Sequence, residues 1–165
     1  MQILETDLIL NSDGSIYHLG LLPHQIAPTI ITVGDPARVS EISKHFDAIT
    51  HRVQTREFVT HTGHIQQKPL TVLSTGMGTD NIDIALTELD ALVNVDFKTR
   101  CLKSEKTQLT IIRVGTSGAI QDAIPVDSFL VSKNLNGQEL HLGALIVNRA
   151  QIDVSCMRSH VLQTS

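Results

Sequence analysis

Apolar positions along this chain alternate between short extended runs and helical spacings. Thr29 to Val33 is an apolar run that predicts a first strand. A helix is expected from Pro36 to about Phe46, where Val39, Ile42 and Phe46 recur on one face. Arg56 to Ile65 and Leu70 to Ser74 read as two strands joined by the polar turn Gln66-Gln67-Lys68, which makes them a hairpin. From Asp80 to Val93 the residues Ile82, Leu86, Leu89 and Val93 stand at helical spacing, and the helix they predict covers the sheet. Thr107 to Val114 and Val126 to Val131 are the next expected strands, and Cys101 to Lys106 is a charged surface loop. Strands alternating with helices point to the α/β class. The chain has no internal repeats and no low-complexity tracts.

Candidate chemistry sits where strands end. Ile31-Thr32-Val33-Gly34-Asp35-Pro36-Ala37-Arg38 carries an apolar strand through a glycine into a helix whose first turn holds an arginine. Glycine lets a ligand approach the backbone, a helix start offers N–H groups, and a guanidinium holds two oxyanion oxygens in one plane. The same letters also spell an ordinary turn, with Asp35 as N-cap and Pro36 at the first helical position. A second element of this kind is Leu109 to Ile120, in which Arg113 interrupts an apolar strand just before Gly115-Thr116-Ser117-Gly118. An arginine among Ile111, Ile112 and Val114 needs either an internal carboxylate or an anionic ligand. Two Arg-plus-Gly elements at strand ends, where open α/β sheets place their ligands, favour a shared phosphate site.

Composition narrows the classes. The chain has 165 residues, 41% of them hydrophobic, which is enough for one domain with a real core. A formal charge of -4 with interspersed signs excludes the basic face that a nucleic-acid backbone requires. Cys101 and Cys156 lie far apart and outside any metal-ligand spacing, so they read as reduced thiols. The acidic start, with Glu5 and Asp7, and the lack of a long apolar run predict a cytoplasmic chain that meets no membrane. His61 and His64, three apart in an expected strand, point to opposite faces and do not make a metal site. The other histidines are scattered as surface residues are, and His18 on its residues alone is a solvated loop histidine.

Five motifs in order carry a family resemblance. They are Tyr17-His18-Leu19-Gly20, Gly34-Asp35-Pro36-Ala37-Arg38, Arg56-Glu57-Phe58, Ser74-Thr75-Gly76-Met77-Gly78 and Arg113-Val114-Gly115-Thr116-Ser117-Gly118-Ala119-Ile120. From about Ser12 to Lys133 the chain resembles the nucleoside phosphorylases of the uridine phosphorylase type, and its segments Thr79 to Ile84 and Glu88 to Asn94 are similar to the bacterial branch. The resemblance implies a single domain over residues 1–165, a three-layer α/β fold whose central mixed, twisted sheet is flanked by helices and is incomplete at the C-terminal end. It implies phosphorolysis, in which inorganic phosphate displaces the base from C1′ of a nucleoside, with uridine the expected substrate. Gly34, Arg38, Arg113 and Thr116 would hold phosphate, and Arg56 would reach in from an adjacent subunit. His18, Thr116, Ser117 and Gly118 would line the nucleoside, His18 on the sugar's 5′-hydroxyl of a neighbouring subunit's site. Arg38, Arg113 and Thr116 would carry the catalysis. No cofactor is implied beyond phosphate as co-substrate, and the partner is a second copy of the chain, in dimers that the family builds into hexamers. Some relatives use the carboxylate at Glu57 near a monovalent cation, whereas no metal site is expected here. On its residues alone, Arg56 in Thr55-Arg56-Glu57 is a surface residue paired with a neighbour.

Past Lys133 the pattern changes. Residues 134–165 diverge, and no counterpart appears of the glutamine and arginine that bind the base in the family, or of the Met-Glu pair that binds the ribose. Ala144 to Gln151 is similar to a much later family segment, a core strand ending in an arginine, here Arg149. Two expectations follow. The chain is a phosphorylase, or it is a non-catalytic remnant that keeps the phosphate half of the pocket. Nucleosidases of the same fold use water, which would leave Arg38 and Arg113 nothing to neutralise.

Overall fold

The computed structural model describes residues 2–118 and 122–129, in one unit that ends at Thr116 and a second that begins at Ser117. The first unit runs β1 (Thr29–Val33), α1 (Ala37–Ser43), β2 (Ala48–Thr55), β3 (Phe58–Ile65), β4 (Lys68–Ser74), α2 (Thr79–Asn94), β5 (Val95–Asp96), β6 (Cys101–Leu102) and β7 (Thr110–Arg113). Five strands form one sheet in the order β2-β3-β4-β1-β7. β1 is parallel to β4 and β7, whereas β3 is antiparallel to β2 and β4. The sheet is therefore mixed, as expected for the α/β fold.

Side chains alternate across this sheet and build one apolar cluster on each face. Ile30 and Leu73 join Ala85, Leu89 and Leu92 of α2 together with Ile16, Leu19, Leu21 and Phe58. Val33 and Val72 meet Val39 of α1, with Ile31, Ile42 and Phe46 packed alongside. Each fully buried aliphatic side chain stabilises this arrangement by about 1.5–3 kcal/mol. The result is three layers, helix on sheet on helix.

Several expected elements differ in the structure. β1 has the expected bounds. α1 stops at Ser43 and closes through turn hydrogen bonds from His45 to Ile42 O and from Phe46 to Ser43 O, yet Phe46 still packs where its spacing put it. The buried stripe of α2 is Ala85, Glu88, Leu89 and Leu92, rotated from the expected one, so that Ile82, Leu86 and Val93 are only half-buried. β3 begins at Phe58 rather than Arg56, because Arg56 and Glu57 form a two-residue turn from β2, with Thr55 paired to Phe58. The second hairpin turn is only Gln66-Gln67, both at positive φ, since Lys68 already pairs with Ile65. Such paired positive values suit the twist of a tight hairpin. Cys101 and Leu102 are not loop but pair with Val95 and Asp96. In the second unit, Val126 to Phe129 is not strand: Ser128 donates backbone and hydroxyl hydrogen bonds to Pro125 O, and Asp127 has φ 67°. The remainder of that expected strand, residues 130–131, and the 134–165 tail with Arg149 lie outside the described residues.

Candidate anion site at the sheet edge

The C-terminal ends of three parallel strands lie side by side. β1 passes into Gly34, β4 into Thr75-Gly76, and β7 ends on Arg113. The ladder extends one step past the strands, with Thr75 N–H donating to Val33 O at 2.8 Å and Val114 N–H donating to Thr32 O at 2.9 Å. Arg113 Nη1 then reaches over the end of β1 and donates to Thr75 Oγ1 at 3.1 Å. A Cβ placed on Gly34 would stand 3.3 Å from Arg113 Nη2 and 3.6 Å from Gly76 O. The guanidinium thus lies against the Gly34 backbone, a close approach that a side chain at this position would crowd.

Arg113 is exposed rather than buried, because β7 is the outer strand of the sheet. Burial therefore does not oblige it to take either an internal carboxylate or an anionic ligand. Among the described residues no carboxylate lies within ion-pair distance of Arg113, Arg38 or Arg56; the two close pairs are His18 with Glu88 and Lys44 with Glu41. A guanidinium that spends one N–H on a hydroxyl keeps the others for a planar oxyanion.

Arg38 occupies the first turn of α1 and is half-buried. The start of that helix is the ordinary turn: Asp35 Oδ1 accepts Ala37 N–H at 2.9 Å, Asp35 O accepts Arg38 N–H at 3.1 Å, and Pro36 is already helical at φ -52°. Asp35 therefore takes a donor that the sequence offers to an anion. What remains for an oxyanion is the arginine side chain and the glycine, not the helix terminus.

Arg56 stands exposed at the tip of the β2–β3 turn with φ 55°. The tip lies at the same end of the sheet as Gly76. There a Cβ on Gly76 would meet Glu57 Cγ at 3.1 Å and Asn81 Nδ2 at 2.8 Å, and Asn81 Nδ2 donates to Glu57 Oε1 at 3.0 Å. The His18 turn packs beside it, for a Cβ on Gly20 would overlap Thr55 Oγ1 at 2.5 Å. His18 and Arg56, the two residues expected to serve another subunit, thus flank one local contact. Thr116 follows β7 as an exposed loop residue, and Ser117 and Gly118 are exposed at the start of the second unit. Among the described residues the side chains of Thr116, Ser117, Arg38 and Arg56 make no hydrogen bond. The structure therefore brings Gly34 and Arg113 together, joined by Thr75 and Gly76, to which the sequence assigned no role.

His61 faces α1. His61 Nδ1 lies 2.7 Å from Ser43 Oγ of α1, and burial, with the Arg52 charge second, pushes its pKa below the usual 6.5. Two open clefts lie away from Arg113: one of about 540 Å³ is lined by Ser43, Lys44 and Phe46 to Arg52, and one of about 450 Å³ by Leu10, Leu22, Val95 and Phe97 among others. No described helix is long and apolar enough to cross a membrane.

Comparison with known proteins converges on one group. The model of the phosphorylase superfamily matches residues 28–151. The chain is 35% identical over 121 residues to a uridine phosphorylase of Thermococcus kodakarensis, covering 73% of this chain and 39% of that protein. It is 34% identical over 139 residues to the uridine phosphorylase of Escherichia coli, covering 81% and 49%. Among solved structures, a Trypanosoma brucei nucleoside phosphorylase described as showing uridine phosphorylase activity superposes with a TM-score of 0.67 at 36% identity, over 72% of this chain and 41% of that one. The chain thus spans less than half the length of these relatives.

Proposed function

The chain belongs to the phosphorylase superfamily, among its nucleoside phosphorylases, and from that premise we propose that it catalyses phosphate-dependent cleavage of the N-glycosidic bond of a nucleoside, with uridine the first substrate to test. One phosphate oxygen bonds to C1′ as the bond from C1′ to the base nitrogen breaks, and the bonding pair leaves with the base. The sugar is oxocarbenium-like in the transition state, so a phosphate dianion held against C1′ stabilises the transition state more than the ground state. Arg113 and Arg38 are the groups assigned to that dianion, with Gly34 giving it backbone access and Thr116 at the loop beyond β7. Ser117 and Gly118 are assigned to the sugar and base side. Arg56 and His18 are assigned to the site of a second protomer, which makes the working unit a homo-oligomer. A role in nucleoside salvage and a cytoplasmic location accompany this reading.

The observation that carries it is the Arg113 guanidinium, laid over Gly34 at the ends of three strands and without a carboxylate partner among the described residues. A water nucleophile would need no such cation. A second reading, phosphate binding without turnover, rests on residues 134–165, in which the base- and ribose-binding residues of the family have no recognised counterpart. Incubation of the chain with uridine and phosphate separates these readings. Uracil and ribose 1-phosphate formed only when phosphate is present support phosphorolysis. Phosphate binding with no product supports the second reading, and uracil formed without phosphate contradicts both.

A further inference from the structure

Glu88 is a carboxylate in the apolar stripe of α2, 9% exposed, between neighbours that pack into the main core cluster. A charge in that position is costly unless donors surround it. The donors come from the turn that carries His18. Leu19 N–H donates to Oε2 at 2.9 Å, and His18 N–H is shared between the two oxygens at 3.1 and 3.2 Å. The ring nitrogen His18 Nδ1 lies 2.7 Å from Oε1. Tyr17 closes the arrangement by meeting the imidazole edge-on, with centroids 4.8 Å apart.

We propose that Glu88 is a positioning residue that fixes the tautomer and direction of the His18 ring, so that Nε2 is presented as a hydrogen-bond acceptor to a sugar hydroxyl. The carboxylate is an acceptor for both backbone donors, which assigns the shared proton to Nδ1. A neutral imidazole with its proton on Nδ1 has a lone pair on Nε2, whereas a histidine side chain free in water favours the opposite tautomer. The ring stays 30% exposed, so its outer edge is open to a ligand. An acceptor there selects a hydroxyl donor and rejects an analogue that lacks it. The ligand half of this inference rests on the proposed function; the tautomer half does not.

The test begins with long-range ¹H–¹⁵N spectra of the imidazoles, recorded well above the ordinary histidine pKa range, with the His18 signals assigned by their loss in His18→Gln. The wild-type chain is expected to show His18 protonated on Nδ1, and Glu88→Gln and Glu88→Ala to move the proton toward Nε2. Glu88→Gln keeps the side-chain volume, so the test stands if Glu88→Ala fails to fold. A wild-type His18 protonated on Nε2, or a tautomer unchanged in Glu88→Gln, overturns the proposal. The second measurement compares uridine with 5′-deoxyuridine in the presence of phosphate. Wild type should bind uridine about three- to tenfold more tightly, the span of one hydrogen bond, and Glu88→Gln should lose that preference. An equal preference in wild type and Glu88→Gln overturns the positioning role. Binding of neither nucleoside contradicts the proposed function, while the spectra still decide what Glu88 does to the ring.

Discussion

Arg113 Nη1 donates to Thr75 Oγ1 at 3.1 Å and so ties the end of β7 to the end of β4 across the intervening β1. The Thr75 hydroxyl has one proton of its own, with Val33 O at 3.3 Å and Gly76 O at 3.2 Å as acceptors. Its oxygen is thereby free to accept from the guanidinium. Thr75→Val removes that acceptor and keeps the shape, so phosphate affinity should fall about three- to tenfold, the net worth of one hydrogen bond. Thr75→Ser should restore it. Equal affinity in wild type and Thr75→Val, by titration with phosphate, would show that Thr75 does not aim the arginine.

Gly63 controls the other side of the sheet. A Cβ there would stand 2.1 Å from Ala48 O and 2.6 Å from a Phe46 ring carbon, beside the register shift between Ile49 and His51. Backbone blocks the methyl, so the strand pair must move apart. Gly63→Ala should destabilise the chain by about 2 kcal/mol or more, an overpacking cost, measured by chemical denaturation. A loss within experimental error would mean that β2 is not held against β3 as described.

His61 gives stability a pH dependence. Burial, and secondarily the Arg52 charge, holds its pKa below 6.5 in the folded chain. The unfolded chain therefore takes up this proton first as pH falls through about 6.5, and it binds more protons than the folded chain until the folded pKa is reached. This contribution to stability is intact above about pH 6.5, declines as pH falls from there to the folded pKa, and is gone below it. In His61→Gln, which keeps a partner for Ser43, the drop in denaturation midpoint from about pH 7.5 to about pH 5.5 should be smaller than in wild type. An equal drop would remove His61 as a source.

Subunit sharing of the site has a stoichiometric signature. If Arg56 of one protomer serves the Arg38 and Arg113 pocket of its twofold partner, then Arg38→Ala and Arg56→Ala chains are each defective alone. After free exchange, half the dimers are mixed, and one pocket in each has both arginines, so about one quarter of all pockets should regain wild-type affinity. No recovery after verified exchange would place Arg56 outside the partner's pocket.

The legible parts of this molecule were those in which burial writes a periodicity. β1 is buried at Ile30, Thr32 and Val33, and its bounds follow from the run itself. β2 went unpredicted because it is an outer strand with no buried residue, and His51, Arg52 and Gln54 leave no apolar alternation to read. The same edge effect explains Arg113, which looked buried among isoleucines but lies on the opposite outer strand. Gly34 and Arg113 at strand ends and Arg38 in the helix turn that follows were legible because the strands leading to them are apolar runs. Thr75 and Glu88 were not. Each acts through a partner distant in sequence, 38 residues away for Thr75 and 70 for Glu88, and that pairing exists only once the strands and the helix are in place.

The claim that the strand ends hold phosphate is tested most directly by isothermal titration calorimetry of the chain with inorganic phosphate, wild type beside Arg113→Ala and Arg38→Ala. Saturable binding is predicted for wild type, weakened in each variant by roughly 1.5–3 kcal/mol, the worth of a charge-assisted contact. Phosphate bound equally by all three chains, or by none, would contradict the account.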